Sequence, residues 1–170
     1  SKGYMWFATR SGLNRYDGYK FLVYFNDPKD STSLSDDGTN SLFESKDGSL
    51  WIGTIYGNIN CFNRKTETFT YENISSLIKS IPDQADDFFD YPLSFSRNQS
   101  TTITSIKEDK DGNLWIGTWG KGIVQINKNF KTINHFYSDG KNKNGLKTNR
   151  IMDLHFDDEG RLWVATFGGG

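Results

Sequence analysis

A chain of 170 residues is long enough to bury a core of its own, and its 20 Lys and Arg against 21 Asp and Glu leave a net charge of −1. That balance removes any general electrostatic reason to hold nucleic acid or an anionic membrane surface. A single cysteine, Cys61, excludes an internal disulfide and a cysteine-built metal cluster.

Aromatic residues make up 15% of the chain beside 17 glycines and 3 prolines, a composition that favours pleated, half-buried strands over helices. No run of about 18 apolar residues offers a membrane helix. The opening SKGYMWFATRSG lacks the apolar stretch of a signal peptide. The expected class is soluble and all-β.

In chain order, residues 1–26 read as three short strands, with GLNRYDGYKF supplying the second and third. A polar stretch from Asn26, NDPKDSTSLSDDGT, leads to NSLFES (Asn40 to Ser45), a strand we label A. An Asp-Gly pair follows, residue types that reach the positive φ values of a tight hairpin. Strand B, LWIGT, starts at once, then strand C, GNINCFN, the turn RKTE, and strand D, TFTYEN, so that residues 39–73 form one four-strand unit.

Residues 74–100 read as an insert. Ile74, Leu77, Ile78 and Ile81 have the spacing of a short amphipathic helix ended by Pro82, and DQADDFFDYPLSF (Asp83 to Phe95) is an acidic and aromatic cap. A second unit, residues 101–138, repeats the order with ITSIKED, LWIGT, KGIVQIN and INHFYS. After SDGKNKNGLKTN, residues 149–170 supply only strands A and B, as IMDLHFD and LWVAT.

One phrase thus occurs four times, as KGYMWFATRSG, KDGSLWIGTIYG, KDGNLWIGTWGKG and DEGRLWVATFGGG. Its glycines Gly3, Gly48, Gly112 and Gly160 stand 45, 64 and 48 residues apart, which suits a four-stranded propeller blade of about 45 residues with one insert. One such sheet cannot bury its faces alone, whereas blades packed face to face around an axis can. The expected fold is an all-β propeller fragment of four-stranded antiparallel blades, about three blades in an incomplete ring, with 13 strands. Trp6, Trp51, Trp115 and Trp163 are expected to fill the space between blades, and Ala8, Gly53, Gly117 and Ala165 to permit close sheet approach.

LWIGT, GLNRYDGYKF and the tyrosine-bearing fourth strand together resemble the two-component regulator propeller repeat. The resemblance covers the chain apart from the insert. It implies the periplasmic sensor region of a hybrid two-component histidine kinase, attached to the membrane only through the rest of a longer chain, that perceives or relays a polysaccharide-derived signal. The unpaired strand edges imply self-association, read as a homodimer closing a ring of about six or seven blades.

Chain direction alternates along a blade, so the B-to-C turns and the D-to-A connections emerge on one face. That face collects every long or irregular segment, where recognition usually sits. The B-to-C turns are expected to place Arg10, Tyr56, Trp119 and Phe167 there at equivalent positions after the threonine, with Lys147 and Arg150 entering from the same side. Aromatic faces suit sugar rings, and an arginine fork suits carboxylate or sulfate substituents, so an oligosaccharide is the expected ligand.

Catalytic and cofactor chemistry is not written into the chain. Asp109, Asp111 and Asn113 open like a calcium loop, but the glycine falls at the fourth position and Gly120 stands where the twelfth ligand should be, which reads as a hairpin. His135 and His155 share no motif, and no nucleophile elbow, phosphate loop or HExxH sequence is present. No cofactor or metal is expected, and Asn73 and Asn98 read as ordinary loop residues despite their N-x-S context. Two rival readings are a structural scaffold that sets spacing and, further off, a polysaccharide lyase or glycosidase.

Overall fold

The structure, a computed structural model, describes residues 3–78, 101–142 and 144–169. Thirteen strands lie among them, in four antiparallel sheets that do not close on one another. The first blade is β1 (Met5–Ala8), β2 (Leu13–Tyr16) and β3 (Phe21–Tyr24); the second is β4 (Thr39–Glu44), β5 (Leu50–Thr54), β6 (Asn58–Asn63) and β7 (Thr68–Asn73). The third is β8 (Ile103–Glu108), β9 (Leu114–Thr118), β10 (Ile123–Ile126) and β11 (Thr132–Phe136); the fourth is β12 (Ile151–Phe156) paired with β13 (Leu162–Thr166). The all-β expectation and its strand order are what the molecule shows.

The five letters LWIGT serve two interfaces at once, because successive side chains in a strand point to opposite faces. In β5, Leu50 and Ile52 pack with Leu13, Phe62, Phe69, Trp6 and Tyr24, between the first and second blades. Trp51 packs the other way, with Ile103, Ile106 and Phe130 of the third blade. All five residues of β5 are buried. Trp115 of β9 repeats the arrangement, meeting Phe156 of the fourth blade with ring centroids 5.9 Å apart.

The small residue two places on is required by the same geometry. A Cβ on Gly53 would lie 2.4 Å from Ile103 Cγ2, and one on Gly117 would lie 2.8 Å from Ile151 Cγ2. Each glycine therefore receives the first residue of the next blade's innermost strand.

The A-to-B turn departs from the sequence expectation in detail. Only its glycine takes positive φ, +84° at Gly48 and +81° at Gly112, and the residue before it does not. Ser45 N–H bonds Ser49 O while Gly48 N–H bonds Ser45 O, the three-residue loop with a glycine bulge rather than a two-residue turn.

That loop is tied to the tryptophan it precedes. Asp109 Oδ1 accepts from the backbone N–H groups of Asp111 and Asn113, and its Oδ2 accepts from Trp115 Nε1 at 2.9 Å. Asp157 does the same for Trp163 Nε1 at 2.8 Å. In the second blade the equivalent residue is Ser45, too short to reach, and both Ser45 Oγ and Trp51 Nε1 are buried without a partner. Ser45→Asp is therefore expected to raise the melting temperature, by about 1 kcal/mol for a net hydrogen bond and so about 2–4 °C at this chain length. A melting curve unmoved or lowered by the substitution would show that the indole is already satisfied.

These carboxylates also set the response to acid. The Trp163 indole N–H and then the Arg161 guanidinium hold Asp157 down from 3.8 to about 2. At Asp109 burial opposes the charge, but the hydrogen bonds from Trp115, Asn113 and Gln125 outweigh it and the pKa is lowered. A depressed folded-state pKa contributes stability that is present above the unfolded value and lost as pH falls through the folded one. Denaturant midpoints are thus expected to fall as pH drops from 3.8 towards about 2, and Asp109→Asn to flatten that slope. A slope identical in the variant would remove Asp109 from the account.

In the insert, Asn73 caps a single helical turn, α1 (Ile74–Leu77), through Ser75 N–H, and Ile78 has already returned to extended backbone at φ −117°. The helix thus ends before the third of the four apolar positions expected on it. Ile81, Pro82 and the stretch Asp83 to Phe95 lie outside the described residues, as does Asn98.

Candidate functional site

The face that carries the B-to-C turns is assembled by one repeated backbone bond. The N–H of the residue after the threonine reaches the carbonyl just before the innermost strand: Ile55 to Gly38 at 2.8 Å, Trp119 to Thr102 at 2.9 Å, Phe167 to Arg150 at 2.9 Å. Side chains at this position are therefore held at fixed places around the inner strands. The bond also corrects one alignment. Ile55, not Tyr56, is the equivalent of Trp119 and Phe167; Tyr56 lies one residue further on, is 53% exposed, and accepts from Asn73 Nδ2 through its carbonyl.

Of the residues expected at the site, three meet. The Trp119 and Phe167 rings lie 5.6 Å apart at 42°, and the Arg150 guanidinium stands 5.8 Å from the Phe167 centroid. Trp119 and Arg150 are half-buried, Phe167 is 37% exposed, and the cluster spans the seam between the third and fourth blades. Arg10 and Tyr56 stand on the first and second blades with exposed side chains, and Lys147 is exposed in the connection ahead of β12.

Two residues that sequence reasoning passed over hold this face in shape. Asn149 accepts Ser138 N–H at 2.6 Å and donates to Ser138 O, closing the base of the connection between β11 and β12. Asp37 does the same for the earlier connection by accepting Asn26 N–H at 2.7 Å. Their carbonyls accept Gly122 N–H and Gly12 N–H from the neighbouring blade. The signal was legible, an Asp or Asn two positions before strand A, the residue type that closes turns through its side chain. His135 is turned to a structural use, its Nε2 lying 2.7 Å from Lys121 O. Among the described residues no group of three or more His, Cys, Asp or Glu is placed to hold a metal ion.

The family model for the two-component regulator propeller matches three times, at residues 33–56, 99–120 and 145–168. Residues 33–56, 99–120 and 145–168 are two-component regulator propeller repeats. Each regulator propeller match runs from the connection before an innermost strand, through that strand and strand B, into the B-to-C turn that builds the candidate site.

Among curated proteins the array is 34% identical to Histidine kinase P4 of Formosa agariphila, over 93% of this chain and 14% of that protein. The chain thus spans a small part of that relative. Among solved structures it is similar to a catalytically inactive virginiamycin B lyase from Staphylococcus aureus, with 17% identity over 98% of this chain and 46% of that one and a TM-score of 0.63. That likeness is one of fold. The extracellular domain of a B. thetaiotaomicron protein named as a hybrid two component system is 23% identical over 99% of this chain and 31% of its own length, at a TM-score of 0.43. Among the described residues no helix is long and apolar enough to cross a membrane.

Proposed function

We propose that this array is part of the periplasmic sensor region of a hybrid two-component histidine kinase, and that it recognises or relays a polysaccharide-derived signal. The regulator propeller repeats and the relative named a histidine kinase support the first part. The observation that carries the second is the meeting of Trp119, Phe167 and Arg150 on the turn-bearing face. Two aromatic rings with a guanidinium beside them offer apolar faces for a sugar ring and a fork for a carboxylate or sulfate on it.

The cluster straddles two blades, so a ligand held by both Trp119 and Phe167 binds one relative placement of those blades better than another. Only such a difference can shift a conformational equilibrium. Signal transfer to a kinase is the expected consequence.

The test is thermal unfolding of the complete sensor region with anionic and neutral oligosaccharides. A ligand bound by the native state alone adds about 2.7 kcal/mol at one hundred times its dissociation constant. A stabilisation by anionic oligosaccharides that Trp119→Ala abolishes supports the reading. No shift with any of them assigns the array to spacing and geometry, with recognition elsewhere in the sensor.

A further inference from the structure

Among the described residues other than glycine, two take a positive φ, Glu67 at +56° and Phe130 at +58°. A side chain there crowds its own backbone, and glycine would relieve it. Both residues lie in a C-to-D turn, Glu67 between β6 and β7 and Phe130 between β10 and β11. Each turn is closed by the asparagine that opens it, Asn63 Oδ1 accepting Lys65 N–H at 2.9 Å and Asn127 Oδ1 accepting Asn129 N–H at 2.9 Å. The hairpins themselves make no use of the left-handed side chains.

The preceding blade does use them. Glu67 crosses to the first blade, where its Oε1 accepts from Arg15 Nη1 at 2.7 Å. Phe130 crosses to the second, where its ring meets Trp51 edge-on at 5.7 Å. The residue after each asparagine reaches the same way. Arg64 lies 3.0 Å from Glu44 of its own blade and 5.9 Å from the Trp6 ring of the first. Lys128 pairs with Glu108 of its own blade at 2.8 Å and with Asp47 of the second at 2.6 Å.

Each turn thus extends two side chains over the tryptophan-bearing part of the blade before it, since Arg15 in turn stands 5.8 Å from the Trp6 ring. We propose that these C-to-D turns are clasps that fix the first three blades relative to one another, and that Glu67 and Phe130 stand in place of glycine for that contact. Strain of this kind persists only where the surroundings over-determine it, and here the surroundings belong to the neighbouring blade. The clasps have opposite polarity. At the first seam the cation, Arg15, is on the preceding blade and the carboxylate, Glu67, on the turn; at the second the carboxylate, Asp47, is on the preceding blade and the cation, Lys128, on the turn.

Thermal unfolding of the chain and its variants tests the proposal. A turn that served only its own hairpin would be stabilised by glycine at the left-handed position. Phe130→Gly is expected instead to lower the melting temperature, by about 2–4 °C, because the lost ring contact outweighs the relieved backbone. In a Trp51→Leu background that loss is expected to shrink, as it does for residues in contact. A rise or no change with Phe130→Gly, or the same loss in both backgrounds, overturns the proposal.

The ionic clasp decides the matter even if Trp51→Leu fails to fold, because Glu67 is 47% exposed and its replacement leaves the core intact. Arg15→Glu combined with Glu67→Arg is expected to melt above Arg15→Glu alone, with an advantage that fades at high salt. A double variant that melts at or below the single one overturns the proposal.

Discussion

Trp51→Ala is expected to cost about 3–5 kcal/mol, the range for truncating a buried aromatic, while the same change at Trp163 costs no more than about 1 kcal/mol. The two residues hold the same place in the same phrase. Trp51 is 1% exposed, locked among Ile103, Ile106 and Phe130 of the following blade. Trp163 is 61% exposed and loses chiefly its bond to Asp157. The value for Trp51 should fall near the low end, because its indole N–H is buried without a partner and truncation relieves that cost. Urea unfolding of the two variants measures the contrast. Equal losses would mean that the tryptophan stabilises its own blade and not the junction.

Gly53→Val is the second large effect, at about 3 kcal/mol or more, while Gly48→Ala costs about 1–2 kcal/mol. These glycines lie five residues apart and are kept for different physical reasons. At Gly53 the obstacle is space: an added Cβ meets both Ile103 Cγ2 and Ser41 Oγ at 2.4 Å, and Ile103 is fully buried with nowhere to move. At Gly48 nothing lies within 4 Å of the added atom, and only the φ of +84° resists a side chain. The melting temperature should fall further for Gly53→Val than for Gly48→Ala. A reversed order would mean that the sheets can separate at low cost, and that the blades are held by their inner-strand hydrogen bonds instead.

Both predictions rest on the junctions, which the sequence describes unevenly. The strands were readable because LWIGT alternates a residue for one neighbour with a residue for the other, and because each copy carries its own turn glycine. The short helix was overread: four apolar positions at helical spacing suggested a longer element, but Ile78 is extended. Apolar spacing reports which side chains need burial, not whether they reach it by helix or by packing under a neighbouring blade, as Leu77 and Ile78 do against the Trp51 cluster.

The candidate site was half legible. Trp119, Phe167 and Arg150 were found from their place after strand B and before strand A, and they meet. Tyr56 was misplaced by one residue: Ile55 follows Thr54 as Trp119 follows Thr118 and Phe167 follows Thr166, and the Ile55 to Gly38 bond shows the same equivalence.

By itself the sequence determined the unit and its order: four strands, the turn between the first two, the tryptophan and the small residue after it. These are local choices, made by strand periodicity and by residues that tolerate particular backbone angles. Tertiary structure alone decided which copies of one phrase are core and which are surface. Leu50, Trp51 and Ile52 are buried because a blade stands on each side of β5, and Trp163 is exposed because none among the described residues stands beyond β13. Burial belongs to the junction between units, and a repeat carries the same letters whether or not a neighbour is there to cover them.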